Sequence, residues 1–269
     1  MKGNFIRYKI DEFRWAYKIG GLKQIKKAFF SNFNGKMRSK LNEGFINRGY
    51  NEAIKYGIRI PNDYPKESLI EAFYDKVYNI ENFIPQENDS IIDVGAYTCD
   101  WSIYCSRVCK ARIIYAFEPL RENIIQARSI IKINDITNVN LFEIALSDHH
   151  DTKLINHSQK MAGINGIGTD SSTVEFRTLD SFDLECNILK IDVEGFEFDV
   201  LRGSLKTIRK NKPKIILETH SKVLKEKCIS LLKNEGYELS HEGKIRYDRN
   251  SSGSSPFDQV QNLFLLPKS

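Results

Sequence analysis

Asp192, Glu194 and His220 are the residues of this chain whose types and spacing best suit chemistry. The two acids stand one residue apart in the run LKIDVEGFE, so in an extended strand both side chains point the same way. Gly195 would then turn the chain into a helix. His220 closes the run KIILETH, two residues after Glu218 and on its side. If these runs are neighbouring buried strands, carboxylates and an imidazole converge on one cleft. Such a set has two uses. Either an acid or His220 takes the proton from a hydroxyl as a general base, or Asp192, Glu194 and His220 bind a divalent ion that acidifies that hydroxyl. Spacing leaves both open. A purely structural role would need cationic partners for the buried acids, and Lys190 and Arg202 are at hand.

A second set lies earlier. The run SIIDVGA carries Asp93 and Gly95, and YAFEP carries Glu118, 23 residues past Gly95. A dinucleotide fingerprint wants three glycines where the backbone meets a pyrophosphate. The turn here, GAYTCD, has one, and Tyr97 and Cys99 would crowd that pyrophosphate. An acid at the position of Glu118 accepts hydrogen bonds from the ribose hydroxyls of an adenosine. An adenosine without pyrophosphate satisfies both facts, and S-adenosylmethionine is one. Asp93 would help hold its amino-acid end, directly or through water.

These residues must be positioned by a sheet. From residue 90 onward, short apolar runs rich in isoleucine and valine alternate with helical periods at 100–110, 120–133, 196–210 and 222–235. That alternation predicts an α/β fold, a mostly parallel sheet with helices on both faces. The run NVNLFEIAL reads as its third strand. YELSHE and NLFLLPK have no helix between them and read as an antiparallel edge pair joined by DRNSSGSSPFD. The soft segment 156–173 reads as a mobile surface loop, a candidate lid. Before the sheet, Leu22, Ile25 and Phe29 have amphipathic helical spacing, and four glycines from Gly35 to Gly57 punctuate short pieces. A further helix is expected from roughly Lys66 to Tyr78, with Leu69, Phe73 and Val77 on one face. Residues 1–84 are thus expected to form a basic, mainly helical appendage and 85–269 the sheet domain.

Charge is unevenly spread. Residues 1–60 hold 14 Lys and Arg against 4 Asp and Glu, while the whole chain has 40 against 35. A basic head of this kind suits an anionic membrane surface, a nucleic acid or a phosphorylated substrate. No apolar run is long enough to span a bilayer, and the start is too broken by charge for a secretory signal. A cytoplasmic protein with reduced core thiols is the expectation: the cysteines are five, an odd number, and the clustered Cys99, Cys105 and Cys109 match no common zinc spacing.

At its chemistry-bearing residues the chain resembles the FkbM family of methyltransferases. The phrases that carry the resemblance are DVGAYTCDWS, YAFEPLRENI, ALSD, RTLDSF, LKIDVEGFEFDVLRGS and ILETH, in that order over roughly residues 88–222. The resemblance implies a class I, Rossmann-like, seven-stranded methyltransferase sheet with an antiparallel strand inserted near one edge. It implies S-adenosylmethionine as cofactor and methylation of oxygen, often on a sugar or polyketide hydroxyl. Asp93, Gly95, Tyr97 and Glu118 would hold the cofactor, and the backbone near Ala145 would border its adenine. Asp192, Glu194 and His220 would serve a small-molecule, glycan or glycolipid acceptor. The first motif departs from the family's usual D-V-G-A-N-x-G, with Tyr97 in place of the asparagine and Cys99 in place of the second glycine. Two rivals stand beside this reading. A nucleic-acid methyltransferase would grip phosphates with the basic head, but stacking aromatics are not interleaved with the basic residues. A non-catalytic adaptor would keep the fold, its cofactor site spoiled by Cys99.

Overall fold

The computed structural model describes residues 46–156, 171–244, 246–247 and 259–268. The helix expected around Leu22 to Phe29 lies outside them, as do residues 157–170 of the soft segment. A helix α1 spans 46–55 and runs through Gly49, one of the expected breaks. Gly49 and Ala53 are both buried, one turn apart. Packing of that seam outweighs glycine's poor helix propensity. The helix expected from Lys66 to Tyr78 is instead a single π-helical turn, Ile70–Asp75, ended by Lys76 in the left-handed region. The wider turn lets Ile70, Ala72 and Phe73 all face inward.

The sheet follows. Its parallel strands are β1 (Ser90–Val94), β2 (Ile113–Phe117), β3 (Val139–Phe142), β7 (Ile188–Ile191) and β8 (Lys214–Thr219). β9 (Tyr237–Glu242), which runs the same way as those five, and the reversed strand β11 (Gln259–Pro267) complete seven, and the two-residue β10 (Arg246–Tyr247) also pairs with β11. The order is β9-β11-β8-β7-β1-β2-β3, with β11 antiparallel to both neighbours. Helices α2 (Asp100–Arg107), α3 (Arg121–Ile133), α4 (Glu197–Arg202), α5 (Leu205–Asn211) and α6 (Lys222–Asn234) make the crossovers.

Alternate strand residues feed two cores. Ile91, Ile114, Ile188 and Ile216 face α2, α3 and the segment before the sheet. Ile92, Leu189, Ile215 and Leu217 face α4, α5 and α6. The first core also holds Ala53, Leu69, Phe73, Tyr78 and Phe83, so residues 46–84 share it with the sheet. All five cysteines are free thiols, and no helix among the described residues is long and apolar enough to cross a membrane.

NVNLFEIAL is not one strand. The chain leaves the main sheet after Phe142 and enters a second, three-stranded sheet as β4 (Ala145–Leu146), beside β6 (Ser171–Arg177) and β5 (Asp151–Asn156). The soft segment is therefore flanked by an antiparallel hairpin, which takes in Asn156 and residues 171–173 that were expected as loop.

Candidate active site

Ligands of a parallel sheet sit beyond the carboxyl ends of its strands, and here the ends of β1, β2, β7 and β8 lie side by side. Gly95 turns the chain out of β1 with φ +75°, and a Cβ on it would stand 1.7 Å from the Asp192 carbonyl oxygen. Only glycine lets the turn after β1 close on the end of β7. Asp93 is fully buried. It accepts from Ser102 Oγ at 2.7 Å and from Lys190 Nζ at 2.9 Å. Lys190 also donates to the Gly95 carbonyl at 3.2 Å. Burial alone would favour the neutral amine, but Asp93 and Asp192 hold it charged, its pKa above the ordinary value.

Tyr97 and Cys99 both adopt left-handed backbone, φ 50° and 67°, which costs an L-residue roughly 1 kcal/mol each. Cys99 is fully buried in the first core. Burial pushes that thiol well up, which makes it a poor nucleophile. Tyr64 reaches the same turn from the segment before the sheet, donating to the Thr98 carbonyl at 2.9 Å.

Glu118 stands one residue past β2 and is turned inward, 5% exposed. Its Oε2 accepts from the Tyr97 amide and its Oε1 from the Leu120 amide and Asn123 Nδ2, each at 3.0 Å. Burial pushes this carboxyl up to about 7, against the pull of those three donors. A buried carboxylate with no cation bonded to it among the described residues gains from further donors, and vicinal ribose hydroxyls are such donors. Ala145 is packed against Leu120 in a small cluster with Val174 and Phe176, next to the Glu118 turn.

At the β7 and β8 ends four carboxylates surround one imidazole. His220 Nδ1 lies 2.7 Å from Glu197 Oε1, and its Nε2 lies 3.3 Å from Glu194, 3.7 Å from Glu218 and 3.9 Å from Asp192 Oδ1. Burial would lower the pKa of His220, but the bond to Glu197 and the other carboxylates overcome this and push it up to about 10. In its charged form the ring donates from both nitrogens. Asp192 Oδ2 accepts from Tyr78 Oη at 2.9 Å and lies 4.0 Å from Lys190. Glu194 takes φ 52° at the turn and its side chain is half exposed.

The structure thus gathers Asp192, Glu194 and His220 at one place, and Asp93, Gly95, Tyr97 and Glu118 on the neighbouring strand ends. Of the two cations named as partners, Lys190 serves and Arg202 does not, since it pairs with Asp148 at 3.1 Å. Sequence reasoning missed Glu197 and Tyr78. Glu197 had a signal, an acid two residues past a turning glycine, whereas nothing in the sequence ties Tyr78 to a residue 114 positions away.

Residues 93–239 match the Methyltransferase FkbM domain. The chain belongs to this family. A curated protein called Methyltransferase 1 from Beauveria bassiana is 22% identical over 162 residues, covering 49% of this chain and 64% of that protein. The chain thus matches less than two thirds of that relative's length. The crystal structure of Methyltransferase FkbM from Methylobacillus flagellatus aligns with TM-score 0.50 and 15% identity, over 81% of this chain and 59% of the other. That of precorrin-6y C5,15-methyltransferase from Geobacter metallireducens aligns with TM-score 0.44 and 14% identity, over 79% and 94%. The first likeness shows the fold. The FkbM match takes in every candidate site residue read from the sequence, and the main sheet carries them at or near strand ends except Ala145, which opens β4 of the second sheet.

Proposed function

We propose that this FkbM chain is an S-adenosylmethionine-dependent methyltransferase acting on a hydroxyl of a sugar, glycolipid or other small molecule. The observation that supports it most is the placement of the buried Glu118 and the acid-lined His220 along one edge of the sheet, at the carboxyl ends of β2 and β8 with β1 and β7 between them. Glu118 receives the ribose hydroxyls, the turn at Gly95 and Tyr97 closes over the cofactor, and the backbone around Ala145 borders the adenine. Asp93 acts through Lys190, which it fixes against the Gly95 carbonyl, shaping the turn. S-adenosylmethionine, when bound, supplies a methyl carbon on a sulfonium, so the carbon–sulfur bond breaks with its electron pair returning to sulfur as the acceptor oxygen bonds to carbon.

The chain's own contribution is to hold the acceptor oxygen in line and to remove its proton. With no ion at its Nε2, a protonated His220 steers the acceptor by donating a hydrogen bond. Glu194, half exposed at the rim, takes the hydroxyl proton and passes it to water. Calorimetric titration with the cofactor tests the first half: Glu118→Ala is expected to weaken binding ~10-fold or more, as loss of bonds to a charged group does. Equal affinity in wild type and variant would remove the ribose assignment. Labelled cofactor incubated with host-cell extract tests the second half, with label expected in base-stable methyl ethers of a small-molecule or glycan fraction. Label in nucleic acid would overturn the acceptor class.

A further inference from the structure

We propose that Asp192, Glu218 and His220 form a divalent-cation site, with Glu197 positioning the imidazole. The proposal deepens the reading of the β7 and β8 ends as the acceptor site and rests on it for the ion's role. One ligand atom from each of the three residues lies within 4.8 Å of the other two, close enough for a cation to sit among them after small side-chain adjustments. The frame is stiff. Asp192 and Glu218 stand at the ends of adjacent parallel strands, and Glu218 is 7% exposed. Tyr78 bonds Asp192 through Oδ2, which leaves Oδ1 turned toward His220 Nε2.

Glu197 supplies the second and independent observation. Its side chain is fully buried, Oε1 faces His220 Nδ1 and accepts from the Gly195 amide at 2.9 Å, and Oε2 has no hydrogen-bond partner among the described residues. The buried negative charge of Glu197 is balanced through His220, either by a proton on the ring or by a cation at its Nε2. A carboxylate on the remote nitrogen is also how metal-ligating histidines are oriented and made more basic. The ion displaces the Nε2 proton of His220 to water, and the two carboxylates and neutral imidazole then suit Mn²⁺ or Mg²⁺ and leave open positions for an acceptor oxygen and water. Set there, the ion acidifies the acceptor hydroxyl, and Glu194, which lies outside the triad, is the group that receives the proton. This differs from the set expected from sequence, which placed Glu194 among the ligands.

Mn²⁺ titration of the chelator-treated full chain, followed by loss of the free-ion electron paramagnetic resonance signal with and without S-adenosylmethionine, tests the proposal. One saturable site per chain is expected. Asp192→Asn and His220→Ala should each weaken it strongly, Glu197→Gln by ~10-fold through the imidazole's orientation, and Glu194→Gln little. Calorimetric cofactor binding by the same variants shows that they are folded. No saturable Mn²⁺ uptake at millimolar concentration in the cofactor-loaded wild type overturns the site, as does uptake that survives both Asp192→Asn and His220→Ala. Mn²⁺ uptake without cofactor binding keeps the site and sinks only the methyl-transfer reading, so the two failures are distinguishable.

Discussion

His220 and Glu118 are both buried titratable groups, and their environments push them in chemically opposite ways. The carboxylates around His220 favour its charged form, whereas burial of Glu118 favours its neutral one. Because the folded value of His220 is raised to about 10, its ion pairs contribute stability that is complete below the ordinary value of 6.5 and is lost as pH rises through about 10. Imidazole NMR shifts of the metal-free protein are expected to report a protonated ring throughout pH 7–8. Glu197→Gln should lower the titration midpoint by ~1 or more, because the nearest opposite charge is gone. A ring that is neutral at pH 7 in the wild type would contradict the geometry. Glu118 is also raised, so the stability tied to its neutral form is complete below about 4.5 and lost as pH rises through about 7. Its ionised form is the better acceptor for hydroxyls. Cofactor affinity measured by calorimetry should therefore tighten ~10-fold between pH 6 and pH 8 in the wild type, and Glu118→Gln should abolish that dependence.

Elements account for residues of the family phrases that lie outside the candidate site. Gly203 lets α4 pass close to the ALSD stretch: a Cβ there would lie 1.9 Å from the Ser147 carbonyl oxygen. Asp180 in RTLDSF accepts from the amides of Lys206 and Thr207 at 3.0 and 2.8 Å, capping α5, and its own amide bonds the Gly203 carbonyl. These phrases clasp the second sheet to the helices of the first. Gly203→Ala is expected to destabilise by ~2 kcal/mol or more in denaturant unfolding, as overpacking against fixed backbone does, with cofactor affinity retained at low temperature. The parallel strands were legible because they are buried on both faces and read as unbroken apolar runs. The β5–β6 hairpin was not, because it is half exposed: Leu154 is 72% exposed while Val174 and Phe176 are buried. Its strands DTKLIN and SSTVEFR therefore lack a strong pattern. The acids of the site were legible from their places at strand ends, but the contact of Glu197 with His220 depends on how α4 packs across β8, which no spacing encodes.

For the whole molecule, the decisive fact is that Leu69, Phe73, Tyr78 and Phe83 lie in the same core as β1, β7 and β8, each 5% exposed or less. A chain begun at residue 85 would lose all four, at ~3 kcal/mol for each large core side chain, which exceeds the stability of most domains. It is expected to show no cooperative thermal transition by circular dichroism, and a sharp transition in that fragment would prove residues 46–84 dispensable. The link from Tyr78 to Asp192 carries a further consequence, for modular engineering. A chimera that joins the head of one relative to the sheet of another would inherit a mismatched latch across the reaction chamber. Turnover, rather than donor affinity, would register the mismatch, and restoring a single phenol should repair it.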